Sequence, residues 1–250
     1  MRAFLCSYFA GVEPAFKNFL RGNPSQQQVV FIPTASTVEN TTFYVQDALN
    51  VFKNLGLTPD ILDIAEVDSE TAKLRIEQAE VLYISGGNTF YLLQQLKSKD
   101  LINFIAEKVR HGMMYVGESA GAMVASPDIE YARIMDDSDA ALGMFNFKAL
   151  GIVDFYPAVH EEEEPFVQAV RRMKSEYSDK LDLVPINNSR APGLRAAFAL
   201  SSRFSPSGRN PPHSVFTLNT ADFGSSFFIR ERLECSRMKK LLPLHPFTRL

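Results

Sequence analysis

The nine residues YVGESAGAM, 115 to 123, set a serine between two glycines in the order G-x-S-x-G. The apolar run 113–116 before them suits a buried strand, and the small residues 120–125 after them suit the opening of a helix. A strand that turns sharply into a helix lifts the residue at the tip of the turn clear of the sheet. Glycines at 117 and 121 relieve the crowding such a turn creates, and the small Ala120 lets the helix start close by. The same letters also describe an ordinary tight turn, so the reading depends on what the rest of the chain supplies.

Moving outward, short apolar runs alternate with segments of helical period. Strands are expected at 2–9, 28–36, 60–64, 80–84 and 113–117, and helices at 14–21, 41–55, 69–78, 89–97 and 100–111. In the second helix, Phe43, Val45, Leu49, Phe52 and Leu55 recur at helical spacing and Gly56 supplies the stop. Repeated strand-helix alternation predicts an α/β fold: a three-layer, doubly wound, mainly parallel sheet covered by helices on both faces. Such sheets carry their chemistry at the carboxyl ends of the strands, which is where ISGGN and VGESAG both fall.

The composition is that of an ordinary globular protein, 46% hydrophobic and 22% charged with a formal net charge of −3. That balance offers no basic excess to neutralise phosphates and argues against nucleic acid as a partner. Two cysteines, Cys6 and Cys235, are too few for a disulfide framework. Four histidines, at 111, 160, 213 and 245, lack ligand spacing, so neither a metal nor another cofactor is expected. The opening MRAFLCSYFAG resembles a minimal secretory signal, but Ser7 interrupts it, and a first buried strand is the better account. No segment reaches the roughly 18 apolar residues of a membrane span. A cytoplasmic protein is expected, with no membrane partner.

The composition changes near residue 186. Residues 186–250 hold ten Lys and Arg against three Asp and Glu, whereas the first 185 hold sixteen against twenty-six. The stretch SSRFSPSGRNPPHS, 201–214, has linker-like composition. Two regions are therefore expected: an α/β domain over 1–188 and an atypical basic, Ser-, Pro- and Arg-rich tail over 189–250.

A serine that attacks a carbonyl near neutral pH needs a base, a group that orients the base, and backbone N–H donors for the oxyanion. The paired glycines of SGGNT, 85–89, end a predicted strand and offer such donors, though a plain turn capped by Asn88 or Thr89 fits equally well. His160 follows the apolar run 151–159, which puts it on the carboxyl edge of the sheet. His111 reads as a helix cap, and His213 and His245 lie in the tail. Between Ser119 and His160 the acidic candidates include Asp136 and Asp137, in a polar loop that also reads as a turn. Glu118, next to the serine, is expected to point away from the elbow.

Taken together, SGGNTFYLL, GESAGAMV, the acidic loop and YPAVH resemble the peptidase E family of serine peptidases over residues 1–188. The resemblance implies a fold related to class I glutamine amidotransferases, with serine in place of their cysteine, and hydrolysis of dipeptides after an amino-terminal aspartate. It implies Ser119 as nucleophile, His160 as base, Asp136 or Asp137 as the acid, and the N–H groups of Gly87 and Ala120 as oxyanion donors. A small peptide is the implied partner, and the protein a monomer or homodimer. An aspartyl side chain would need a cation, for which Arg133, Arg171 and Arg172 are candidates. PINNS, 185–189, resembles the family segment that leads into the last strands. The text beyond it departs from that pattern as a frameshift would make it, and translating the other reading frames of the gene tests this. Two other readings stay open: a binding protein on the same scaffold, and an α/β-hydrolase esterase using His213 or His245 as base.

Overall fold

The computed structural model describes residues 1–20 and 27–188 with their side chains, together with the backbone of 195–201 and 215–219. Five parallel strands form most of a seven-stranded sheet: β1 (Arg2–Cys6), β2 (Val29–Ile32), β3 (Asp60–Ile61), β4 (Val81–Ile84) and β5 (Met114–Glu118). Their order is β3-β2-β4-β5-β1, and the sheet continues with antiparallel β8 (Arg195–Ser201) and β9 (Val215–Asn219). β8 and β9 fall within the segment read as a tail. The remainder of 189–250, including 202–214, lies outside the described residues.

The strands are apolar on both sides because both faces are covered, as a parallel sheet requires. Successive side chains alternate between two cores. Phe4, Cys6, Phe31, Tyr83 and Val116 pack with α1 (Glu13–Leu20) and α2 (Phe43–Asn54). Leu5, Ile32, Leu82, Ile84 and Tyr115 pack with α3 (Ser69–Glu77), α4 (Thr89–Ser98), α5 (Leu101–Arg110) and α6 (Ala120–Met123). The result is the expected three-layer α/β architecture. Helix ends follow local chemistry: the Asp68 carboxylate accepts from the Thr71 N–H at 2.7 Å to open α3, and Gly56 at φ 75° closes α2.

Register positions the site. Ile32 lies level with Ile84, Ile84 with Gly117, and Leu5 with Gly117, so β1, β2, β4 and β5 end on one line. Their following loops, beginning at Ser7, Pro33, Ser85 and Ser119, rise along one edge. Phe9 is fully buried in the α1–α2 core, where it packs edge-on against Phe16 at 4.8 Å. Burying a side chain of that size contributes about 1.5–3 kcal/mol, which anchors the loop after β1.

The segment 151–159 differs from expectation. Only Tyr156–Ala158 is a strand, β6, and it pairs in parallel with β7 (Leu183–Pro185) in a separate two-stranded sheet, with α7 (Val167–Tyr177) between them in sequence. The edge of β1 that β6 would need is taken by β8. Among the described residues no helix is long and apolar enough to cross a membrane.

Candidate active site

The elbow is built by close approach of backbones. A Cβ at position 117 would lie 2.4 Å from the Gly121 carbonyl oxygen, and one at 121 would lie 2.1 Å from that of Ile84. Only glycine lets α6 fold back so tightly over β5 and β4. Ser119 adopts φ 47°, ψ −107°, a conformation that a non-glycine residue holds only when its surroundings enforce it. Its N–H donates to the Cys6 carbonyl at 2.9 Å, its carbonyl accepts from Met123 N–H at 2.9 Å, and the Tyr115 hydroxyl donates to the Gly121 carbonyl at 2.6 Å.

Ser119 Oγ lies 2.8 Å from His160 Nε2. The histidine reaches it by a different route from the sheet edge the sequence suggested. Ala158 is level with Pro185, so the residues just past β6 and β7, His160 and Asn188, arrive side by side. Ser7 ties this pair to the main sheet: its hydroxyl donates to the Ile186 carbonyl at 2.8 Å and accepts from the His160 N–H at 3.0 Å. His160 itself sits at φ 59°, and the Phe166 ring stacks on its imidazole with centroids 4.5 Å apart at 22°.

The other ring nitrogen, Nδ1, meets Asn188 Oδ1 at 3.1 Å. An amide oxygen there accepts the Nδ1–H, which leaves Nε2 bare to accept from the Ser119 hydroxyl. Packing around the imidazole pushes its pKa down to about 4, while the bond to Asn188 works in the opposite direction. The ring is accordingly neutral at neutral pH, the form in which it accepts a proton.

Neither expected acid occupies the place behind the histidine. The Asp136 carboxylate instead accepts from the Thr89 N–H at 2.9 Å and from the Thr89 hydroxyl at the start of α4. Asp137 accepts from the Asp139 N–H at 2.9 Å through its side chain and from the Asn88 amide at 2.9 Å through its carbonyl. The loop has docked on α4 because α4 opens there with free N–H groups that attract carboxylates. Burial raises Asp136 to about 6 against the pull of its Thr89 bonds.

Gly87 follows β4 at φ 129°, and a Cβ there would lie 2.1 Å from the Ala35 carbonyl oxygen. Asn88 supplies the cap, accepting from Phe90 N–H at 3.0 Å and Tyr91 N–H at 2.9 Å. Of the oxyanion candidates, Ala120 follows Ser119 in sequence, and Gly87 follows Gly86, where an added Cβ would sit 3.2 Å from Ser119 Cβ. Glu118 points away from the cleft and is buried, as its place in the elbow implies. It accepts from Phe9 N–H at 2.7 Å, from the Tyr83 hydroxyl and from the Gly86 N–H. Burial raises its pKa to about 7 despite those bonds. One side chain therefore ties the loops after β1 and β4 to the elbow.

The three arginines considered for an acidic substrate have other partners or places. The Arg133 guanidinium lies 4.6 Å over the Phe147 ring and donates to Ser138 at 2.8 Å, Arg172 pairs with Glu176, and Arg171 is exposed on α7. Sequence reasoning missed Asn188, Ser7 and Phe166. The available signal was the spacing: Asn188 follows β7 by three residues much as His160 follows β6 by two.

Residues 6–193 match the profile of Peptidase family S51. The chain belongs to this family. It is 42% identical over 190 residues to Uncharacterized peptidase PM1590 of Pasteurella multocida, covering 76% of this chain and 91% of that one. Against Uncharacterized peptidase Lmo0363 of Listeria monocytogenes the figures are 38% over 202 residues, 81% and 98%. Peptidase E of Nostoc matches at 32% over 139 residues, 56% of this chain and 53% of that one. A solved structure described as a Peptidase E protein from Listeria monocytogenes EGD-e superposes with TM-score 0.74 at 35% identity, covering 87% of this chain and 98% of that one. This S51 chain is a peptidase, and its elbow, histidine and glycine loop lie within the matched residues.

Proposed function

We propose that the protein is a serine peptidase that hydrolyses short peptides through an acyl-enzyme. The observation that carries this reading is the 2.8 Å contact between Ser119 Oγ and His160 Nε2 at a backbone turn held at φ 47°. His160 takes the Ser119 proton as Oγ adds to the scissile carbonyl, and Asn188 holds the imidazole in the tautomer that makes this possible. The N–H groups of Gly87 and Ala120 stabilise the oxyanion. Collapse of the tetrahedral intermediate breaks the C–N bond, with the imidazolium returning its proton to the leaving amine. Water, deprotonated by His160, then releases the acyl group and restores Ser119.

Asp-X dipeptides, implied by the resemblance, belong in the first substrate panel beside dipeptides with neutral and basic first residues. Hydrolysis that vanishes in Ser119→Ala while the variant folds normally supports the reading. Hydrolysis that survives the substitution removes Ser119 as nucleophile. No hydrolysis across the panel by intact protein favours a binding role on the same scaffold.

A further inference from the structure

The loop after β2 runs beside the oxyanion loop because β2 is the neighbour of β4 in the sheet. It leads into α2, whose first residues are Phe43 and Tyr44. The Tyr44 ring approaches Gly86 on the side that faces the nucleophile. A Cβ built on Gly86 would lie 3.2 Å from Ser119 Cβ and 3.5 Å from the Tyr44 ring. On the histidine side, Tyr8 packs against Gly11, where an added Cβ would be 3.2 Å from the Tyr8 ring and 2.6 Å from the carbonyl oxygen of Asn188. Phe43 joins the two, with ring centroids 5.8 Å from Tyr44 and 6.4 Å from Tyr8, and it is 62% exposed. An aromatic wall thus runs along the elbow from the oxyanion loop to the histidine.

The charges beside this wall are carboxylates. The Tyr8 hydroxyl donates to Asp47 at 2.6 Å. The Tyr44 phenol is held protonated chiefly by burial and then by the fields of Glu39, Glu118 and Asp136. Among the described residues its buried hydroxyl has no hydrogen-bond partner. Phe43 is exposed and Tyr8 and Tyr44 are partly so; an aromatic surface of this kind gains free energy by covering apolar groups, whereas a carboxylate brought to it meets charges of its own sign.

We infer that Tyr8, Phe43 and Tyr44 form the subsite for the amino-terminal residue of the substrate, and that it selects an apolar, preferentially aromatic side chain over aspartate. This rests on the serine-peptidase reading above. Asp47 and Glu39 supply the negative field that suits the free α-ammonium of such a peptide.

The test compares kcat/KM for Phe-Leu, Leu-Leu, Lys-Leu, Asp-Leu and Gly-Leu, with Ser119→Ala as the blank. Phe-Leu is expected to exceed Asp-Leu by at least about tenfold, the scale a side-chain pocket delivers. Phe43→Ala, at an exposed site the fold tolerates, should lower Phe-Leu about tenfold more than Gly-Leu, mainly through KM. Asp-Leu or Lys-Leu as the preferred substrate overturns the inference while leaving the nucleophile intact, as does an equal loss on Phe-Leu and Gly-Leu. Calorimetric binding of Phe-Leu and Asp-Leu to Ser119→Ala reads the same preference without turnover, and tighter binding of Asp-Leu overturns it. Absence of Ser119-dependent hydrolysis from every substrate counts separately, against the peptidase mechanism.

Discussion

Replacing Asn188 with aspartate tests the arrangement behind the histidine with almost no change of shape. The amide oxygen lies 3.1 Å from His160 Nδ1, and an aspartate of the same length puts a carboxylate oxygen in that place. A carboxylate within about 4–6 Å of an ionisable group favours its charged partner by roughly 1–3 pKa units. Each unit is worth about 1.36 kcal/mol, so the imidazolium gains roughly 1.4–4 kcal/mol. Starting from about 4, the His160 pKa should rise to roughly 5–7. The acid limb of kcat/KM moves with it, because the base must be neutral to accept the serine proton. At the alkaline end kcat should rise, since the imidazolium formed in the transition state now faces a charge rather than a dipole.

Two measurements follow this shift: the pH dependence of kcat/KM on a short peptide from about pH 3 to 8, and a titration of the His160 ring protons by NMR that needs no substrate. The linkage to folding gives a third. A histidine with its native pKa depressed binds fewer protons in the folded than in the unfolded state. Its stabilising effect is therefore complete above about 6.5 and is lost as pH falls toward 4. Stability should decline by up to about 1.4 kcal/mol per pH unit across that window in the parent protein, and less steeply in Asn188→Asp. An acid limb and an imidazole titration unmoved by Asn188→Asp would refute the claim that Asn188 governs the proton on His160.

Two further substitutions separate the site from its scaffold. Asp136→Ala removes two bonds from the start of α4 and should cost about 1–2 kcal/mol in urea unfolding while leaving the acid limb of kcat/KM in place. A loss of a thousandfold in kcat with the fold intact would reinstate Asp136 as partner of the histidine. Gly87→Ala drives a Cβ to 2.1 Å from the Ala35 carbonyl at φ 129°, so at least about 2–3 kcal/mol of stability should go and kcat should fall about a hundredfold or more. Normal stability and kcat in this variant would show that the loop does not hold its donor where proposed.

Different parts of the molecule were legible in the sequence for different physical reasons. The parallel strands were readable because burial on both faces leaves near-continuous apolar runs, as in 81–84 and 113–116. The elbow was readable because its demands are local: glycines at 117 and 121 meet backbone only a few residues away, or on the adjacent strand. Strand ends were overrun, at 33–36 and 62–64, because Thr34, Ala35, Leu62 and Ile64 remain buried after the ladder stops. Apolar character reports burial, and extension is a separate property. The same confusion assigned 151–159 to the main sheet, when Ile152, Val153 and Phe155 are buried in bends that lead to a strand of three residues.

Asn188 was hidden for a different reason. Its place beside His160 depends on a pairing between two three-residue strands separated by α7, and no local period encodes such a register. A search for a negatively charged partner then passes over an amide, although the tautomer requires only an acceptor facing Nδ1. What the amide cannot supply is charge for the imidazolium that the proposed mechanism forms when Ser119 gives up its proton. The ring face of Phe166, stacked 4.5 Å from the imidazole, offers the remaining stabilisation through its negative quadrupole. The proposed mechanism therefore leans less on a buried carboxylate and more on confinement of the histidine between Ser119, Asn188 and Phe166. That division of labour is why a change of one amide to a carboxylate should be felt as a shift in pH dependence before it is felt as a change in fold.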